Sequence, residues 1–242
     1  MTGAEILFSD RTGGVSAPPF DTANAGYGRG DDPAAVAENR RRIGAGLGGR
    51  AADPQTWTCL HQVHGPGVHE AGLHPPGRLP EADASVSTEG DAVLAILTAD
   101  CAPVALVGPG VVGAIHAGWR GLAAGVVEAA VGRVEALCGD VPVAAVLGPC
   151  IHPCCYEFSR PDLEQVARRL GPAVEGRTAS GGLALDVPAA VRIALARAGV
   201  EAVTDLGVCT SCSPRHFSHR RDGRTGLQAM LVAAKSVRAQ VL

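Results

Sequence analysis

The sequence predicts a mixed α/β layered domain. Short apolar runs bounded by glycine and proline recur as strands along the chain. Helical segments with their own start signals fall between them. No repeat, low-complexity tract or linker divides the 242 residues. A chain of this length can bury a sizeable core, and mixed folds of this size often remain single. One domain over residues 1–242 is expected.

The strands read from these runs are Glu5–Ser9, Thr56–Val63, Asp83–Ser87, Ala92–Thr98, Val104–Val107, Val111–His116, Val143–Leu147, Val203–Val208 and Leu227–Ala233. The helices are Pro33–Leu47, Leu122–Leu137, Pro161–Leu170 and Pro188–Ala198. Pro33 follows Asp32 and Pro188 follows Val187, both first-turn positions that suit proline. Loops are expected at Gly72–Pro80 and Gly176–Gly182.

Composition narrows the function. Hydrophobic residues make up 46% and charged residues 19%, an ordinary globular balance. Aromatics are only 3% and net charge is -3. Neither a stacking surface nor a basic face for nucleic acid is implied. The basic cluster Arg215–Arg224 is mixed with His216, His219 and Asp222, which suits an anion site better than a DNA footprint. The N-terminal segment lacks a charged stretch followed by an apolar one, and no apolar run reaches the roughly 18 residues that span a bilayer. A cytoplasmic protein without membrane partners is expected. There the eight cysteines are thiols, metal ligands or catalytic groups, and disulfides are not expected. The sequence carries no signal for the number of subunits.

Three segments carry chemistry. Gln62-Val-His64-Gly65 ends a strand, Thr98-Ala-Asp100-Cys101-Ala-Pro103 breaks a buried one, and His116-Ala-Gly-Trp-Arg120-Gly121 joins a strand to a helix. Each places one potential metal ligand at a strand end. His64, Cys101 and His116 together would make a three-donor zinc set with an open fourth position, the catalytic pattern. The plainer alternative is that each is a packed core residue. Asp100 beside Cys101 reads as a proton carrier or as an orienting partner. Arg120 at the following helix start could help hold an anion, or simply pair with a surface acid.

Other features weigh less. Phe217-Ser-His-Arg220-Arg221 could clamp an anion or form a solvated turn. Cys150, Cys154 and Cys155, with the Cys209–Cys212 CxxC and His152 or His216, only weakly suggest a structural zinc. Cys59 and Cys138 read as small core residues. Gly44–Gly49 fits GxGxxG but follows a helical segment where the dinucleotide fingerprint needs a strand, so it is set aside.

Taken together, these segments resemble the laccase-domain purine nucleoside phosphorylases, also known as YfiH-like multicopper polyphenol oxidases. The matching pieces run from Arg11-Thr-Gly-Gly-Val-Ser16 through Asp31-Asp-Pro33, Glu38-Asn-Arg40, Gln62-Val-His-Gly65, Ala82-Asp-Ala84, Thr98–Pro103 and His116–Gly121. They continue through Gly148-Pro149, Cys155-Tyr-Glu157 and Cys209-Thr210 to Phe217–Arg221. The resemblance implies an α/β/β/α sandwich of two mixed sheets, with His64, Cys101 and His116 as zinc ligands. It implies phosphorolysis of adenosine, inosine, guanosine and methylthioadenosine, with adenosine deamination besides. It places Arg11, Asn24, Gln62 and the Arg220–Arg221 pair around the pocket that takes nucleoside and phosphate. This chain departs from the usual pattern at His219, where tyrosine is common, and at Leu227, where arginine is common.

Three rival readings remain open at this stage. A copper polyphenol oxidase would need more histidines, and a methionine near a Cys–His pair. A Cys–His hydrolase editing cytoplasmic peptidoglycan precursors would use Cys101 as nucleophile. A non-catalytic zinc-binding protein would use the metal for shape alone.

Overall fold

Two large sheets stack face to face, and helices cover both outer faces. The structure, a computed structural model, describes residues 3–72 and 79–234. Its strands are β1 (Ala4–Phe8), β2 (Trp57–Thr58), β3 (Val68–Glu70), β4 (Ala84–Ser87), β5 (Val93–Thr98), β6 (Ala102–Gly108), β7 (Val111–Ala117), β8 (Ala144–Leu147), β9 (Glu175–Arg177), β10 (Leu183–Leu185), β11 (Ala202–Asp205) and β12 (Gln228–Ala234). Its helices are α1 (Pro33–Leu47), α2 (Trp119–Ala124), α3 (Val126–Cys138), α4 (Arg160–Leu170), α5 (Val187–Arg197) and α6 (His219–Asp222). The first sheet has the order β1-β12-β5-β2 and the second β11-β8-β6-β7-β4-β3. Both are mixed: β2–β5, β8–β11 and β3–β4 run parallel, and the other pairs antiparallel. Strands β9 and β10 form a separate antiparallel ribbon.

The layering follows from the two-residue period of a strand. Leu94 and Ile96 of β5 and Met230 and Val232 of β12 face Ala105, Val112 and Ala114 of the second sheet. Their neighbours Val93, Ala95, Ala229 and Leu231 point the other way, onto Ile43 of α1 and Trp57. Val104, Leu106 and Ile115 of the second sheet pack outward against α2, α3, α4 and α5. The four layers are therefore α1, first sheet, second sheet and the remaining long helices. Burying each large aliphatic side chain contributes about 1.5–3 kcal/mol.

Helix starts obey local hydrogen bonding. The side chains of Asp32, Ser159 and Asp186 accept from Ala34, Asp162 and Ala189 backbone N–H groups, capping α1, α4 and α5. Among the described residues, no helix is long and apolar enough to cross a membrane.

The structure differs from the sequence reading in several places. The strand expected over Thr56–Val63 shrinks to Trp57–Thr58. Beyond it the Gln62 side-chain amide bonds the N–H and C=O of Leu97 at 3.0 and 2.8 Å, replacing backbone pairing. The helix expected over Leu122–Leu137 is two helices, α2 and α3, broken at Gly125 (φ 90°). The short elements β3, β9, β10 and α6 fall where no element was expected. Most of the Gly72–Pro80 loop lies outside the described residues.

Gly125 offers a test of sign. In a continuous helix Gly→Ala stabilises by about 1 kcal/mol. In the left-handed conformation seen here, Gly125→Ala is expected to destabilise by roughly 1–2 kcal/mol, measured by urea unfolding.

Candidate metal centre

The centre is built around one buried carboxylate. Asp83, just before β4, is fully buried. It accepts from three successive backbone N–H groups, those of Val63, His64 and Gly65, at 3.1, 2.9 and 2.8 Å. Its Oδ1 also meets His116 Nδ1 at 2.7 Å. Such a run of converging N–H groups is an anion nest. It holds His64 at φ 60°, a left-handed conformation that costs about 1–2 kcal/mol for a side-chain-bearing residue. Three hydrogen bonds to a charged group, at about 1.5–3 kcal/mol each, outweigh that strain. Burial pushes the Asp83 carboxyl up, but His116 and the N–H groups of Gly65 and His64 prevail and hold it below the usual range.

The carboxylate also fixes how His116 is used. With Nδ1 occupied by Asp83, Nε2 is left for a metal. His64 stands edge-on to it, ring centroids 4.8 Å apart. Cys101 ends the three-residue passage Ala99–Cys101 that carries the chain from β5 in the first sheet to β6 in the second. Its Sγ lies 3.9 Å from His64 Nε2, and the donor atoms of His64, Cys101 and His116 all lie within 4.8 Å of one another. Gly118 must be glycine here: a Cβ would stand 2.8 Å from His64 Cδ2 and 3.2 Å from Cys101 Sγ.

Charge suits the donors to a cation. Burial pushes the Cys101 thiol up, yet the adjacent His116 and His64 rings bring it down to about 6. Burial opposes charge on His116, yet Cys101 and Asp83 raise it to about 9. Two imidazoles and a thiolate fit a borderline ion such as zinc.

The three donors open onto a cavity of about 990 Å³. Both tryptophans and both tyrosines of the chain line it: Tyr27, Trp57, Trp119 and Tyr156. Arginines stack on them. Arg120 lies 4.2 Å over Trp119, Arg220 4.6 Å over Tyr156, and Arg40 4.4 Å over Tyr27.

The residues singled out in the sequence divide into two groups. Gln62, Asp100, Arg120 and Arg220 line the cavity with the three donors. Asp100 accepts from Thr210 Oγ1 at 2.6 Å and from Arg220 N–H at 2.7 Å, so both oxygens are engaged and its place is that of an orienting group. Helix α2 has only six residues, so an anion there depends on arginine charge rather than on a helix start. Against expectation, Arg11, Asn24 and Arg221 are not among the described residues that line the cavity, and their polar atoms are engaged elsewhere. Arg11 binds Asp21 and Asp222. Asn24 bonds Gly26, Asp31 and Leu227. Arg221 holds the carbonyls of Thr210, Ser211, Ser213 and His216. The basic cluster is thus mostly a staple, with Arg220 as its cavity-facing member. Asp83, Arg40, Trp119 and Tyr156 were missed as site residues. Asp83 and Arg40 lie within motifs already noted, but nothing in their spacing marks what they touch. His219 and Leu227, the two departures, both line the cavity.

The family model for multi-copper polyphenol oxidoreductase laccase matches residues 5–235. The chain belongs to this laccase-domain family. It is 43% identical over 230 residues to a purine nucleoside phosphorylase of Streptomyces coelicolor, covering 93% of each chain. It is 41% identical over 231 residues to one of Pseudomonas aeruginosa, covering 92% of this chain and 90% of the relative. The crystal structure of YlmD from Geobacillus stearothermophilus superposes with a TM-score of 0.88 at 33% identity, covering 97% of this chain and 93% of that one.

Two outcomes follow. Asp83→Asn is expected to weaken Zn²⁺ binding about 10–100-fold, read by competition with a chromophoric chelator. Near neutral pH the metal-free Cys101–His116 pair is a thiolate beside an imidazolium and holds one proton. Zn²⁺ needs both groups bare, so binding releases one proton from this pair. Release rises toward two below about pH 6, where the thiol is protonated, and falls toward none above about pH 9, where the imidazolium has lost its proton. Calorimetry in buffers of different ionisation enthalpy measures the count.

Proposed function

We propose that this laccase-domain protein is a zinc-dependent purine nucleoside phosphorylase of the cytoplasm. Its substrates are adenosine, inosine, guanosine and methylthioadenosine, and it also deaminates adenosine. The observation that carries this reading is that all four Trp and Tyr residues gather with Arg120 and Arg220 around three metal donors. Flat π-faces suit a purine, paired guanidinium groups suit phosphate, and the cavity is large enough for both. The names of the Streptomyces and Pseudomonas relatives point the same way.

In phosphorolysis a phosphate oxygen bonds to the ribose C1′ as the bond from C1′ to the purine nitrogen breaks. The purine leaves with the bonding electrons and takes up a proton, and ribose 1-phosphate remains. Arg120 and Arg220, braced on Trp119 and Tyr156, hold the phosphate charge at the cavity wall. Asp100 positions Arg220 through the backbone N–H and, one residue before Cys101, fixes the turn that presents the thiolate. Trp119 and Tyr156 exclude water from one side. His64, Cys101 and His116 would hold a zinc ion, which would supply Lewis acidity when bound. In deamination a water oxygen adds at C6 and ammonia leaves, a reaction the same pocket accommodates.

Zinc is preferred to copper on the donor set. Met230 is fixed between the two sheets and so is not an axial ligand to this centre. One observation favours a second reading. Cys101, His116 and Asp83 stand in the order nucleophile, base and orienting carboxylate. A Cys–His hydrolase acting on peptidoglycan precursors would use them so.

The test is chromatography of adenosine incubated with and without phosphate, beside Cys101→Ala. Adenine with ribose 1-phosphate, only when phosphate is present and not in the variant, supports phosphorolysis; inosine supports deamination. Unchanged adenosine in every tube removes the purine assignment. Chelation separates the second reading, since a cysteine nucleophile keeps its activity without metal. Oxygen uptake on phenols after copper loading would revive the oxidase. No turnover of nucleosides, phenols or muramyl substrates would leave a non-catalytic zinc-binding role. Arg120→Ala is expected to raise KM for phosphate roughly 10–150-fold, the loss of one charged hydrogen-bonding partner at about 1.5–3 kcal/mol.

A further inference from the structure

A second group of metal donors stands outside the cavity lining. Cys154 and Cys155 end the short 3-10 turn Pro153–Cys155, and Cys209 and Cys212 lie on the loop after β11. Backbone bonds pin the two segments together: Cys150 N–H donates to Val208 at 3.1 Å, and Thr210 N–H to Cys150 at 3.0 Å. The four Sγ atoms all lie within 4.8 Å of one another. Their separations are 3.3 Å for Cys155–Cys212, 3.6 Å for Cys154–Cys212, 3.8 Å for Cys154–Cys155 and 4.0 Å for Cys154–Cys209.

Those distances discriminate between two kinds of cysteine chemistry. Tetrahedral zinc with Zn–S bonds of about 2.3 Å sets its sulfurs about 3.8 Å apart. A disulfide needs about 2.05 Å. The four sulfurs are spaced around a common centre, and no pair among these four separations approaches bonding distance. His152 N–H donates to Cys209 Sγ at 3.4 Å. Four thiolates this close repel one another unless a cation lies among them. Sequence spacing alone gave this cluster little weight, because a vicinal pair and a distant CxxC match no standard zinc motif. The fold is what joins them, and it leaves Cys59, Cys138 and Cys150 out.

We propose that Cys154, Cys155, Cys209 and Cys212 bind one structural Zn²⁺. Four Zn–S bonds form as the thiol protons leave to solvent, and no electron moves. Four protein ligands close the coordination sphere, so the ion has no open position for a substrate. Its role is to tie the turn before Tyr156 to the loop carrying Thr210. Tyr156 braces Arg220, and Thr210 holds Asp100. The zinc thereby sets one wall of the cavity without touching it.

Metal counting tests this independently of the function proposed above. Cys101→Ala protein, purified under reducing conditions, loaded with Zn²⁺ and desalted, is expected to retain one zinc per chain by mass spectrometry of the elements. Adding Cys209→Ser and Cys212→Ser is expected to abolish that zinc. Because those changes could disturb the loop, Co²⁺ replaces Zn²⁺ in the Cys101→Ala protein as a second measurement. An all-thiolate tetrahedral site gives intense d–d bands together with sulfur-to-cobalt charge transfer. No retained zinc in reduced Cys101→Ala protein overturns the proposal, as does a Co²⁺ spectrum without thiolate charge transfer.

Discussion

Asp83 is the constraint on which the centre depends. A carboxylate sealed from water is stable only when its oxygens are satisfied. Here the donors that satisfy it are the backbone of the His64 turn and the ring of His116. Two of the three candidate metal donors are thus positioned by one side chain outside the donor set. Its own backbone belongs to the same arrangement, since Asp83 C=O accepts from His116 N–H at 2.7 Å. The His64 turn is thereby tied to the second sheet through Asp83.

Much of this was legible in the sequence because strand periodicity and helix starts are local properties. Eight of the nine expected strands and three of the four expected helices correspond closely to observed elements, since short apolar runs between glycines leave few alternatives. The misses have physical causes. The Gln62 amide replaces backbone pairing, which no periodicity records. Gly125 in a left-handed conformation interrupts an otherwise continuous apolar stripe. The donors were legible as residue types at strand ends. Asp83 as their organiser was not, because its partners lie about 20 and 33 residues away in the chain.

The arginines show a similar limit. Sequence groups Arg220 with Arg221, but successive residues on a short helix point apart. One guanidinium stacks on Tyr156 at the cavity, and the other holds four backbone carbonyls. Aromatic scarcity misleads in the same way. A content of 3% suggests a protein with little use for π-faces. In the fold, every tryptophan and tyrosine surrounds one cavity. Scarcity of a residue type across a chain is compatible with its concentration at one place.

The passage Ala99–Cys101 has a mechanical meaning. It is where the chain leaves one sheet for the other, and Cys101 stands at its end. His116 belongs to the second sheet, while the Gln62–Leu97 bonds tie the His64 turn to the first. An ion gripped by these three residues therefore acts as a clasp across the sandwich. Sliding of one sheet over the other would pull the ligands out of register. By linkage, an ion bound tightly there would resist that shear, and a well-packed sandwich would in turn favour its binding.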